Sequence, residues 1–212
     1  MSEIELSAVE ARVLGALVEK SITTPQYYPM TPNAIMAACN QKSCRHPVMA
    51  LSEGEVGRAL NALQAQRLVD REDSRSRAPK WRQQMRSQLL LKGPTQAVLV
   101  TLLLRGPQTP AELLRNAEAL GGPGDREALL AALEDLADRA QPLVREWPRG
   151  AGQKEARWVA LLGGEPEAPA PAPARTVSES AAATSAAASR LDALEARIAR
   201  LEARLAELEG GG

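Results

Sequence analysis

The order of local signals along residues 1 to 162 occurs twice, and that repetition limits the folds open to this chain more than any other feature. In the first copy Ser7-Ala8-Val9-Glu10 reads as a capping box, the serine accepting from the third helical amide and the glutamate reaching back. Val9, Val13, Leu14, Leu17 and Val18 then share one helical face. Thr31-Pro32 opens a second helix, with threonine at the N-cap and proline at the first position, where its missing N–H costs nothing. Ile35, Met36 and Cys39 form its inward stripe. Ser52-Glu53-Gly54-Glu55 starts a third helix that turns Val56, Ala59, Leu60 and Leu63 inward. A strand from Leu68 to Arg71, a charged turn and a strand around Lys80 to Gln83 complete the copy.

The second copy repeats this with different loops. Pro94 opens its first helix (Val98, Leu99, Leu102, Leu103), Thr109-Pro110-Ala111-Glu112 its second, and Asp125 its third (Leu129, Leu130, Leu133, Leu136). Strands from Leu143 to Trp147 and from Arg157 to Leu161 flank the turn from Pro148 to Gly152. Thr31-Pro32 answers Thr109-Pro110, and Lys80-Trp81 answers Arg157-Trp158. Three helices, a strand, a wing and a strand make the winged-helix order. The sequence therefore predicts an α+β chain, mainly α with small β wings, as two tandem winged-helix domains at 1–92 and 93–162. Trp81 and Trp158 are expected to plug the gap between each wing and its first helix; a stacking platform for bases is the other reading.

Beyond the repeat, residues 163–189 are rich in Pro, Ala and Ser with almost no large apolar side chain, the composition of a flexible linker that cannot bury enough surface to offset its ordering entropy. Residues 190–209 follow a different pattern. Leu191, Leu194, Ile198, Leu201, Leu205 and Leu208 alternate in steps of three and four, an uninterrupted coiled-coil seam. With Leu191 at position a, every g is basic (Arg190, Arg197, Arg204) and every e acidic (Glu195, Glu202, Glu209). In a parallel pair each g faces an e of the partner helix, so these charges select parallel self-association into a homo-oligomer. Dimer and trimer both fit the seam. A lone helix folding back on its own domains is the competing arrangement.

The longest apolar run, Ala97 to Leu104, is far short of the roughly 20 residues that span a bilayer. The N-terminus is acidic where a secretory signal would be basic and then apolar, so the expected location is cytoplasmic, with no membrane partner. Cys39 and Cys44 are the only cysteines and His46 the only histidine. Three soft ligands fall short of a four-ligand structural zinc site, so no metal is expected; Cys39 reads as a core residue, Cys44 as a loop thiol and His46 as a surface imidazole. A single histidine offers no evident nucleophile-base relay, and Gly121-Gly122-Pro123-Gly124 lacks the GK[ST] ending of a phosphate loop. The chain reads as a non-enzyme without a cofactor.

The least generic stretch runs from Thr23-Thr24-Pro25 through Tyr27-Tyr28-Pro29-Met30 and Asn33-Ala34 to Ala38-Cys39-Asn40-Gln41-Lys42-Ser43, Arg45 and Pro47-Val48. Tyr27 and Tyr28 are expected to divide labour, one ring packed and the other at least partly exposed; two stacked core rings are the alternative. The pattern resembles the YceH-like family of uncharacterised bacterial proteins, whose members show TTP…YPL…NA…ACNQKS.R.PV. The resemblance covers residues 1 to about 162 and implies a tandem winged-helix fold without assigning a biochemical role. Cys44, His46 and Pro32 depart from the family pattern, which more often has Asn, Asp and Leu there.

Two functions remain. Residues 1–92 carry 13 basic and 9 acidic side chains, an excess that residues 93–164 (8 and 9) do not share. In a DNA-binding winged helix the third helix enters the major groove while the wing meets phosphate. Arg58, Asn61 and Gln64 lie on the outer face of that helix and can bond to base edges, although Glu53 and Glu55 at its start would repel phosphate. Arg75, Arg77, Lys80, Arg82 and Arg86 make the wing basic. The expected function is therefore DNA binding through domain 1. The alternative is a protein-interaction adaptor with a partner on domain 2, whose third helix carries Asp125, Glu127, Glu134, Asp135 and Asp138 and would repel a polyanion. A positive patch joining helix three to the wing favours DNA; acids interrupting it favour the adaptor.

Overall fold

The computed structural model describes residues 4–72, 79–147, 149 and 155–164. Its elements begin where the capping residues place them. Helix α1 (Ala8–Thr23) carries the full capping box of Ser7 and Glu10, and α2 (Pro32–Cys39) starts from the Thr31 hydroxyl, which accepts from the Ala34 amide. Helix α3 (Glu53–Ala65) carries the box of Ser52 and Glu55. Strands β1 (Val69–Glu72) and β2 (Lys80–Gln83) pair antiparallel, setting Asp70 across from Arg82 and Glu72 across from Lys80. A short helix, α4 (Met85–Gln88), leads on to α5 (Gly93–Arg105).

The second copy repeats the plan. Helix α6 (Pro110–Ala117) starts from Thr109 and Glu112, and α7 (Arg126–Ala137) from the Asp125 carboxylate. Strands β3 (Val144–Trp147) and β4 (Arg157–Ala160) form a second antiparallel hairpin. The correspondence reaches single residues. Val56, Ala59, Leu60 and Leu63 are buried on α3, and Leu129, Ala132, Leu133 and Leu136, each 73 positions on, are buried on α7. Each hairpin also gains a bridge from the residue before the N-cap threonine, Met30 to Trp81 and Gln108 to Trp158. The class is α+β: helices with small two-stranded antiparallel sheets.

Sequence boundaries and observed ones differ mainly at strand ends. The strand expected at Leu68 begins at Val69, because Leu68 closes α3, its amide donating to the Leu63 carbonyl. Helix α4 and the 3-10 turns Pro25–Tyr27 and Glu118–Leu120 are too short for hydrophobic periodicity to reveal.

The two copies share one core, joined where α1 packs on α5. A Cβ on Gly15 would stand 3.0 Å from Leu104 Cδ2, so the missing side chain sets how closely these helices approach. Polar stitches flank that contact. The Ile4 backbone exchanges two hydrogen bonds with the Gln141 side chain, the Leu6 amide donates to the Leu162 carbonyl, and Arg139 donates to the Leu89 carbonyl at 2.6 Å. Residues 165–212, which include most of the expected linker and the whole expected coiled coil, lie outside the described residues.

Candidate functional site

The distinctive segment between α2 and α3 is built on buried arginines. Arg12, in the middle of α1, is 1% exposed and donates to the carbonyls of Cys39 (3.3 Å) and Pro47 (2.8 Å). Burial, with Arg45 nearby, lowers its pKa. Arg45 has a fully buried side chain that forms a fork-to-fork pair with Glu19 and also donates to the Ala38 and Cys44 carbonyls and to Gln41. Burial by itself raises the Glu19 pKa, but the hydrogen bonds and charge of Arg45 outweigh it and hold the carboxyl below its ordinary range. The Asn40 side chain both accepts from the Leu51 amide (2.7 Å) and donates to the Leu51 carbonyl (2.8 Å), clamping the loop shut. Within the Asn-Gln-Lys-Ser-Cys-Arg run, Asn40, Gln41 and Arg45 thus have architectural roles, while the Lys42, Ser43 and Cys44 side chains are exposed.

The two cysteines separate as expected. Cys39 is buried, and burial pushes its thiol up to about 12, whereas Cys44 is exposed with a left-handed backbone, φ 59°. Tyr27 is 75% exposed, while Tyr28 packs against the core and accepts at its hydroxyl from the Gln83 amide. Trp81 is buried at 5% exposure, which denies it to a stacking base; Trp158 is half-buried against the core.

The residues singled out for nucleic acid divide into three groups. Arg58, Asn61 and Gln64 are all exposed on α3 and lie within about 120° of its circumference, given 100° per residue. Among the described residues none of the three side chains is tied up in a hydrogen bond or ion pair. In α7 the same positions hold Ala131, Glu134 and Ala137, so the two copies differ in what their third helices expose there. Lys80 and Arg82 stand on β2, but each faces an acid on β1, and Arg82 pairs with Glu72 at 3.0 Å. Gln84 donates to Asp70 at 2.7 Å. The described hairpin stem therefore sets two acids, Asp70 and Glu72, against three basic residues, Arg71, Lys80 and Arg82, so most of its positive charge is offset. Arg75 and Arg77 lie outside the described residues, as do Leu191, Leu194, Ile198, Leu201, Leu205 and Leu208.

A second site falls where the copies meet, and no linear motif announces it. The loop bearing Cys44 and His46 comes against the end of α5 and the start of α6, leaving a cleft of about 420 Å³. The His46 amide donates to the Leu104 carbonyl at 2.8 Å, and its ring lies over Gly106 so closely that a Cβ there would stand 2.8 Å from the ring; a φ of 72° independently favours glycine. Arg105, Arg115, Asn116 and Arg157 form the opposite wall. Glu112 caps α6 and pairs with Arg157 at 2.8 Å; the Thr109 amide and then Arg157 hold its carboxyl below the ordinary range. Gln108, 4% exposed, accepts from Asn116 at 2.6 Å and fixes that side chain.

Among the described residues no group of three or more His, Cys, Asp or Glu side chains could hold a metal, and no helix is long and apolar enough to cross a membrane. The molecule is thus an α+β protein of two repeated helix-and-hairpin copies, with exposed polar groups on one third helix and an arginine-rich cleft at the junction. A family model described as "Protein of unknown function, DUF480" matches residues 6–153, and the chain belongs to that family. It is 46% identical over 165 residues to the UPF0502 protein of Geobacter sulfurreducens, covering 78% of this chain and 75% of that one. It is 48% identical over 161 residues to a UPF0502 protein of Burkholderia ambifaria, covering 76% and 68% respectively.

Proposed function

We propose that this chain is a cytoplasmic, non-enzymatic tandem winged-helix protein whose first copy binds DNA, led by α3 rather than by the wing. The observation that carries the reading is the set of Arg58, Asn61 and Gln64, exposed, without a hydrogen bond among the described residues and confined to one side of the third helix, with the acids Glu53 and Glu55 at its start opposing phosphate. Arginine suits the acceptors of guanine, and Asn and Gln suit adenine. The wing stem assists weakly. An exposed pair such as Arg82–Glu72 is worth only about 0–1 kcal/mol, so a phosphate can compete for Arg82, but Asp70 and Glu72 oppose its approach.

The test is a salt-dependent titration of the full chain on a site selected from random DNA. Replacing Arg58, Asn61 and Gln64 individually by Ala is expected to cost about 1–3 kcal/mol each on the selected site and to relax base preference. Replacing Arg75, Arg77, Lys80 and Arg82 together should weaken binding on every sequence and flatten the salt slope by up to about 0.9 for each phosphate no longer neutralised. Wild-type binding in all the α3 variants would end this reading.

The acids that interrupt the hairpin stem and the acidic outer face of α7 favour a second reading, a protein-interaction adaptor that docks through the second copy. It predicts no salt-dependent DNA affinity at all. In either role, parallel association of residues 190–209 would present the described unit two or three times in one assembly.

A further inference from the structure

The cleft at the junction of the copies carries more positive charge than its surroundings neutralise. Of its guanidinium groups, Arg45 is engaged by Glu19 and Arg157 by Glu112. Arg105, half-buried at the end of α5, and Arg115, exposed on α6, have no carboxylate partner among the described residues. Backbone acceptors nearby do not absorb them either. The Thr101, Leu102, Leu104 and Pro107 carbonyls accept from Gln108, Gly106, His46 and Arg157 respectively.

We propose that this cleft is a binding site for a small phosphate-bearing anion, held by Arg105 and Arg115 with Asn116 and the His46 ring at its edges. Three features select that chemistry. Each of the two guanidinium groups without a carboxylate partner offers a planar fork of N–H donors, which suits phosphate oxygens. The volume, about 420 Å³, lies in the range of small-molecule sites. The lining is polar, which excludes an apolar ligand. The walls are also held in place: Gln108 fixes Asn116, the Glu112 ion pair fixes Arg157, and the His46 backbone is pinned to α5. Because one wall belongs to the first copy and the other to the second, occupancy would tie the two together. The site stands independently of the DNA reading.

His46 is the only histidine in the chain and Cys44 the only exposed cysteine among the described residues, so each provides a single-site report on the cleft. The full-length protein is titrated with inorganic phosphate at constant ionic strength and fixed pH, with chloride as control, while the His46 ring resonances are followed by NMR. N-ethylmaleimide labelling of Cys44 is timed in parallel. The expected result is a saturable shift with phosphate and none with chloride, together with slower labelling at saturation. Arg105→Ala and Arg115→Ala should each weaken the phosphate response roughly tenfold or more, as loss of a charge-assisted hydrogen bond does. Arg115 is exposed and has no hydrogen-bond or ion-pair partner among the described residues, so its replacement leaves the fold intact, and Arg126→Ala, at an exposed position outside the cleft, should leave the response unchanged. A shift that never saturates, one that survives both cleft variants, or labelling that is unaffected by saturating phosphate would overturn the site.

Discussion

Glu19 and Arg45 show what single residues contribute here. The Arg45 side chain is fully buried and that of Glu19 is 15% exposed, so removing the carboxylate leaves a cation in the interior with only carbonyls and Gln41 for company. Losing one partner of a buried pair costs about 3–5 kcal/mol, and Glu19→Gln should lie near the lower end because an amide oxygen still accepts from Arg45. The pH dependence has a definite sign. The Glu19 pKa is depressed in the folded state, so its stabilisation is complete above the unfolded value of about 4.3 and is lost as pH falls through the folded value. Urea unfolding at a series of pH values should therefore show the wild type converging on Glu19→Gln at low pH. Parallel curves across that range would disprove the pairing. Neither buried arginine was legible in the sequence, because nothing in composition or spacing separates an arginine in a core from one on a surface. Cys39 was legible, since it falls on the apolar stripe of α2.

At the scale of elements, helix starts were written plainly in the sequence and long-range pairings were not. Ser7 with Glu10, Ser52 with Glu55 and Thr109 with Glu112 all form complete capping boxes, because a cap needs only residues three apart. The charge around the first hairpin was only partly legible, since the run of Arg75, Arg77, Lys80 and Arg82 shows the bases but not the acids set across from them. Its effect depends on Asp70 and Glu72, which become neighbours of Arg82 and Lys80 only when the register is set. The junction cleft was invisible for the same reason, its walls being some sixty or more positions apart along the chain. The loop between α2 and α3 makes a prediction of its own. Asn40→Ala removes two hydrogen bonds and strands the amide and carbonyl of Leu51, which is 9% exposed. Leaving buried polar groups unsatisfied costs about 1–3 kcal/mol apiece, so a loss of roughly 2–6 kcal/mol, toward the lower end because both bonds are part-buried, should appear in thermal or urea unfolding. Asn40→Asp should not rescue it, because a carboxylate accepts from the amide but repels the carbonyl. Wild-type stability in both variants would show that the clamp contributes nothing.

For the whole molecule, the repeated copies form one core through α1 and α5, and the remaining question is whether the chain works singly. Residues 190–209 lie outside the described residues, so the physical case rests on their sequence. The seam from Leu191 to Leu208 is apolar throughout, and its flanks place arginine at every g and glutamate at every e. Parallel association brings Arg190, Arg197 and Arg204 against Glu195, Glu202 and Glu209 of a second chain, whereas antiparallel association sets like charges together. Each exposed pair is worth only about 0.3–0.5 kcal/mol, so orientation is better determined than affinity. Fewer than three full heptads is marginal for an isolated helix in water, and the association should accordingly depend on concentration. Sedimentation equilibrium over micromolar concentrations is expected to show an oligomer for residues 1–212 and a monomer for a truncation ending at Gly164. Reversing the g charges, with Arg190, Arg197 and Arg204 all changed to Glu, should abolish self-association, and adding Glu195→Arg, Glu202→Arg and Glu209→Arg should restore it. Two monomers would exclude the tail as the dimerising element, two equal oligomers would assign that role to the helix-and-hairpin copies, and failure of the charge-swapped chain to recover would reject the parallel arrangement.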